Sequence, residues 1–152
     1  MKAGSRPDAV AVVVLRGRGE RDEVLLLRRS TGTFAGAWTF VMGGVEEGER
    51  GVDAARRELF EETGLTLATL FTAGELDAFY DPLRDRIVHV PFFVAHVGEG
   101  EVVLEDDVHD AHRWVSFAEA ETMLEFAAQR RILAEIHRDF VERTPQAWRI
   151  IR

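Results

Sequence analysis

The sequence predicts an α/β fold in which a central mixed sheet lies between helical layers. Three observations predict it: apolar, β-branched runs near the start, one amphipathic stretch in the middle that stops at a glycine, and two helical stretches near the end.

Residues 9–15 read Ala-Val-Ala-Val-Val-Val-Leu, a buried strand by their β-branched content. A polar, glycine-containing turn over 16–22 leads to a second strand over 23–29, apolar from Val24 to Leu27 and closing on Arg28 and Arg29. Gly32 and Gly36 make 30–37 a loop that enters Trp38-Thr39-Phe40-Val41. After a turn at Gly43-Gly44, Val52, Ala55 and Leu59 repeat at i, i+3 and i+7, so a helix turns one stripe to the core. Gly64 stands where a left-handed residue would stop it.

Residues 65–80 and 86–97 are extended, flanking a turn at Asp81-Pro82, and Pro91 marks an edge position or bulge in the second. An acidic loop over 98–110 holds a short strand at 102–104, and another strand follows at about 113–117. Residues 118–127 and 130–143 are helical by composition, with Ile132, Ile136 and Phe140 on one face and Pro145 ending the second helix. Residues 147–151 form a strand or a packing arm.

A chain of 152 residues fits one domain over 1–152, and no second core is needed. The composition, 46% hydrophobic and 30% charged, is that of a globular protein, with no apolar run of the roughly 20 residues a membrane span needs. Residues 1–8 hold no apolar signal-peptide core, so the expected location is the cytoplasm, without membrane association. The absence of cysteine excludes disulfides, thiolate metal sites and cysteine nucleophiles. A formal net charge of −8 disfavours long nucleic acid, whereas a small phosphorylated substrate can arrive with its own divalent cations.

Glu58, Glu61 and Glu62 stand at i, i+3 and i+4, so on a helix their carboxylates share a face within reach of a common ion. Like charges so spaced destabilise a helix by about 0.2–0.5 kcal/mol per pair, and acids in its last turn oppose the macrodipole. A hard cation offsets both, and Mg²⁺ prefers oxygen ligands while keeping sites for waters and substrate phosphates. The competing explanation is a solvated face laced with ion pairs, Asp53 with Arg56 or Arg57 and Arg57 with Glu61. It accounts for the charges but not for glycines at fixed positions on either side.

The string from Gly43 through Glu49 and Arg57-Glu58-Leu59-Phe60-Glu61-Glu62-Thr63-Gly64-Leu65 resembles the Nudix box, with every fixed position of that motif matched. The resemblance extends over nearly the whole chain and implies a Nudix-type α/β/α sandwich with the box helix in a loop-helix-loop. It also implies that Glu58, Glu61 and Glu62 are metal ligands, with the Met42 carbonyl as another. Arg57 would orient Glu58, and Glu49 would brace loop against helix or join the outer coordination sphere, with Gly43 and Gly64 structural. The implied cofactor is Mg²⁺, with Mn²⁺ as a substitute. The general base would be Glu58 or an acid in the loop before the late strand. Where a related subgroup carries that acid this chain has Val108, leaving Glu105, Asp106 or Asp107 as replacements. Val41 and Met42 replace a Pro and Gly common in the family, tolerable if the ligand at 42 is main chain.

The expected reaction is hydrolysis of a phosphoanhydride in a nucleoside diphosphate linked to another group. The closing sequence, from Trp114 through residues 130–143, resembles the dATP and dihydroneopterin triphosphate pyrophosphohydrolases. That likeness implies a (d)NTP or pterin triphosphate split to monophosphate and pyrophosphate. The alternatives are a dinucleoside polyphosphate, ADP-ribose or nucleotide-sugar substrate, and a noncatalytic nucleotide sensor. Arg28 and Arg29 are candidates for gripping substrate phosphate, and equally for arginines that simply close a strand. Phe34, Trp38, Phe79 and Tyr80 are candidates to stack on a base or to fill core. His109 and His112 lack the soft ligands zinc needs, and His89, His96 and His137 are isolated. Exposed strands and the Trp148 tail are the candidate surfaces for a homodimer.

Overall fold

The computed structural model describes residues 4–17, 21–104 and 107–152. In chain order the elements are β1 (Ala9–Arg16), β2 (Glu23–Arg29), β3 (Trp38–Thr39), β4 (Val41–Gly44), α1 (Gly51–Thr63), β5 (Leu67–Asp81) and β6 (Arg86–Val97). There follow β7 (His109–Val115), α2 (Phe117–Met123) and α3 (Ala127–Ile136). A π-helical turn, His137–Glu142, extends α3, and Ala147–Arg149 forms a 3₁₀ turn.

The described strands form one sheet in the order β3-β2-β1-β6-β5, with β4 also on β1 and β7 on β2. Among the described strands only β1 and β6 pair in parallel, because the chain between β4 and β5 is spent on α1, a crossover that a hairpin cannot replace. The sheet is therefore mixed, as expected.

The strand β1 explains the layers. Val10, Val12 and Val14 pack with Ala54, Ala55 and Leu59 of α1, while Ala11, Val13 and Leu15 belong to the opposite core with Ala120, Ile132, Leu133 and Ile136 of α2 and α3. Successive side chains point to opposite faces of a strand, so a strand covered on both sides reads as an unbroken apolar run. Ile132, Ile136 and Phe140 are all buried, so the four-residue spacing continues into the π-helical turn.

Several boundaries differ from the sequence reading. Gly43 and Gly44 do not form a turn; they end β4, paired with Val10 and Ala9, and the chain turns over residues 45–50 instead. No strand forms at 102–104: Val103 N–H donates to the Thr63 carbonyl at 2.9 Å, and Val102 and Leu104 pack against the α1-side core. The late strand begins at His109, where its ladder to β2 starts, and ends before Ser116, whose hydroxyl accepts from Glu119 N–H and caps α2. That cap draws Phe117 into the helix. The helix expected over 118–127 stops at Met123, and α3 begins at Ala127, ahead of Arg130. Pro91 lies in β6 opposite Leu76, where the β5 register shifts, in keeping with a proline beside a bulge. The tail is a packing arm against the outer edge of β5, with Ile151 N–H donating to the Leu70 carbonyl and Ile150 bridging Phe71. No helix among the described residues is long and apolar enough to cross a membrane.

Candidate active site

The site is assembled where β4 meets α1. β4 is short, and its pairing with β1 fixes Met42 and Gly43 beside the helix face that carries the acids. Gly43 is required there sterically. A Cβ at this position would overlap the carboxyl carbon and both carboxyl oxygens of Glu58, so only glycine lets that acid lie against the strand. About one helical turn beyond Glu58, Glu62 reaches the same strand: Met42 N–H donates to Glu62 Oε2 at 3.3 Å. Gly64 ends α1 in the left-handed region, φ 69°, with its N–H on the Phe60 carbonyl at 2.8 Å, as the sequence predicts.

Arg57 ties the parts together. Its Nε and Nη2 donate to the two oxygens of Glu49 at 2.8 Å each, a bidentate fork. Nη1 donates to Glu58 Oε1 at 2.7 Å and to Glu61 Oε2 at 3.1 Å, and Nη2 reaches the Gly44 carbonyl at 2.9 Å. Glu49 also accepts from Glu46 N–H at 3.1 Å, so it braces the 45–50 turn against the helix. One guanidinium thus joins loop, strand and helix.

The two main carboxylates on that guanidinium are shifted in opposite directions. The Arg57 hydrogen bonds and the Glu46 N–H hold Glu49 down at about 2. Burial pushes Glu58 up, and the Arg57 bonds only partly oppose it. Desolvation disfavours the charged form, and cation hydrogen bonds favour it. The Arg57 guanidinium itself is raised, chiefly by Glu49. Glu62 is 7% exposed, whereas Glu61 leaves 56% of its side chain open to solvent.

Among the described residues no three acidic or imidazole side chains already converge as a metal cluster. Part of the ion-pair reading holds: Arg57 pairs with Glu61, while Asp53 pairs with Arg50 at 2.8 Å and more distantly with Arg56. The donor set still suits a hard cation, being all oxygen and including a half-buried Glu58 whose carboxyl is pushed up by desolvation, which a nearby cation opposes.

A cavity of about 410 Å³ opens beside the box and shares Met42 with it. Arg29 lines it, as do Phe34 and Phe79. Arg28 does not; its Nε donates to Asp110 Oδ1 at 2.7 Å, and its guanidinium lies 5.7 Å from the Trp38 ring centre. Trp38 packs against the core, and Tyr80 donates to Asp85 Oδ1 at 2.7 Å, so neither belongs to the cavity lining. Sequence reasoning missed Thr39, Asp77 and Gln129, which converge on the cavity from three distant elements. Of the substitute loop acids, Glu105 and Asp106 lie outside the described residues, and Asp107 is exposed, its carbonyl accepting from Ser30 Oγ at 2.8 Å.

Comparison with known proteins bears on the family and the fold. A protein of Myxococcus xanthus named octanoyltransferase is 35% identical over 126 residues, which cover 80% of this chain and 34% of that protein. This chain therefore spans about a third of that relative's length. The asymmetrical bis(5'-nucleosyl)-tetraphosphatase of Rattus norvegicus is 32% identical over 128 residues, covering 81% of this chain and 83% of that protein. The crystal structure of the MutT protein from Methanosarcina mazei Go1 is 30% identical with a TM-score of 0.69, covering 91% of this chain and 99% of that one. The NUDIX domain family matches residues 5–143, the span that holds the whole sheet, the box helix and the cavity, and the chain belongs to that family.

Proposed function

We propose that the chain is a Mg²⁺-dependent hydrolase of a phosphoanhydride in a nucleoside diphosphate linked to another group. The preferred substrate is a (d)NTP or pterin triphosphate, released as monophosphate and pyrophosphate. One observation carries this reading: Met42 both meets Glu62 and lines the cavity, so the acidic helix face and a substrate-sized hollow adjoin.

Nudix hydrolases generally use divalent metal ions. Here Glu58, Glu61 and Glu62, with the Met42 carbonyl, would hold the ion, which supplies charge neutralisation on phosphate and a more acidic bound water. Arg57 is a positioning residue that fixes the Glu58 carboxyl through Nη1 and keeps Glu49 clamped to the loop. Glu58 is assigned as general base, since a carboxylate raised by burial takes a proton more readily than an ordinary one. Arg29, which lines the cavity, is assigned to grip phosphate; Arg28, engaged by Asp110, has the lesser claim.

The test is product analysis on a panel of phosphoanhydrides with Mg²⁺. Monophosphate and pyrophosphate from a triphosphate are expected, and no turnover of any panel member would overturn the assignment. Cleavage of a dinucleoside polyphosphate is the second reading, favoured by the likeness to the rat tetraphosphatase over most of both chains. It predicts a nucleoside triphosphate among the products. Calorimetry showing tight binding with no hydrolysis would favour a nucleotide sensor. A cytoplasmic location, Mn²⁺ as substitute metal and homodimer formation belong to the same proposal.

A further inference from the structure

The cavity beside the box carries acceptors that the protein leaves unanswered. Asp77 of β5 lines it half-buried, and its carboxyl group makes no hydrogen bond or ion pair among the described residues. Gln129 of α3 is 3% exposed, and its Nε2 donates to Thr39 Oγ1 at 3.1 Å and Met42 Sδ at 3.2 Å. With both amide protons so directed, its Oε1 is buried and has no donor. An unpaired buried acceptor costs about 1–3 kcal/mol, so Gln129 Oε1, with the Asp77 carboxylate on the same lining, points to a ligand that donates.

The rest of the lining suits a flat ring. Phe34 and Phe126 meet edge to face, with centroids 4.9 Å apart, and Phe79 joins them on the cavity wall. Aromatic walls accept any heteroaromatic ring, so selectivity must come from the polar groups.

We infer that Asp77 is a specificity-determining residue, receiving the edge of a ring that presents a ring N–H beside an exocyclic amino group. This rests on the proposed function and names the substrate class for the same site. A carboxylate accepts and does not donate. Adenine and cytosine each set a ring acceptor beside the amino group, which would face a carboxyl oxygen without a proton between them. Hypoxanthine offers the ring N–H alone. Guanine and pterin rings share the 2-amino-4-oxopyrimidine edge, whose two adjacent donors match both carboxyl oxygens. The Arg29 Nε, buried and without an acceptor, adds a donor on the same wall for a carbonyl or phosphate oxygen.

The test is calorimetric binding, with Mg²⁺, of the α,β-methylene analogues of dGTP, dITP and dATP, which needs no turnover. Wild-type protein should bind the guanine compound about tenfold or more tighter than the other two. Asp77→Asn should weaken guanine binding and shrink the guanine to hypoxanthine ratio below about threefold, while the dATP analogue binds as well or better because the amide supplies the proton that adenine's ring acceptor lacks. Thermal melting checks that the variant is folded. Dihydroneopterin triphosphate, competed against the guanine analogue, distinguishes the two sources of this edge, and the tighter ligand of the pair should lose most in Asp77→Asn. Equal wild-type affinity for all three purines, or an unchanged ratio in Asp77→Asn, would overturn the inference. Base selectivity without hydrolysis would count against the proposed reaction alone; hydrolysis without selectivity would count against Asp77 alone.

Discussion

Gly43 and Glu58 share one volume: the Glu58 carboxyl group fills the space that a Cβ at position 43 would occupy. Gly43→Ala must therefore expel that carboxyl group or distort β4. Overpacking of this kind costs about 1–3 kcal/mol, and a lower melting temperature with strongly reduced hydrolysis is expected. Adding Glu58→Ala should return stability toward wild type without restoring activity, a non-additivity measured by a double-mutant cycle. Independent, additive effects would show that the two residues do not compete.

Arg57 works through its geometry as well as its charge, since it binds Glu49 bidentately while reaching Glu58 and Gly44. Lysine keeps the charge but cannot reproduce the fork. Arg57→Lys should lower kcat by about tenfold or more with a smaller change in KM, as expected when a positioning contact to the reacting group is lost. Steady-state kinetics that match wild type would remove Arg57 from that role.

Acid should weaken the loop clamp through Glu49. Its carboxyl is held at about 2 against an ordinary 4.5, so the stabilisation it contributes is present in full above the unfolded value. It is lost as pH falls through the interval from 4.5 toward 2. Melting temperature followed over that range should fall less steeply for Glu49→Gln than for wild type. Parallel curves would mean the Arg57 clamp adds nothing to folding.

Glu58→Gln preserves shape and removes the charge and basicity assigned to Glu58. Turnover should fall by about a hundredfold or more, the scale of a lost general base, with melting nearly unchanged. Retained turnover would move the base elsewhere, to the loop acids before β7.

The strands β1, β2 and most of α1 were legible because burial leaves a direct mark on sequence: the unbroken apolar runs of β1 and β2 and the i, i+3, i+7 stripe, with Gly64 marking the helix end. That Glu58, Glu61 and Glu62 lie on one helix was legible from their spacing and the Nudix-box resemblance. The meaning of Gly43 was not, since its constraint comes from a side chain packed across from it and not from local backbone. The residues 102–104 are apolar like a strand, yet Val102 and Leu104 pack without a ladder and Val103 stays exposed. Asp77 and Gln129 carry no local signal, because the cavity that gives them meaning forms only when β5 and α3 meet near β4.

The central claim is that the acids of α1 hold a divalent ion beside Met42, and Mn²⁺ binding read by electron paramagnetic resonance tests it most directly. In the presence of a nonhydrolysable triphosphate, wild-type protein should bind Mn²⁺, and Glu58→Gln and Glu62→Gln should each weaken it by about tenfold or more, while Arg28→Gln leaves it unchanged. Mn²⁺ affinity that is the same in all four proteins would contradict the account.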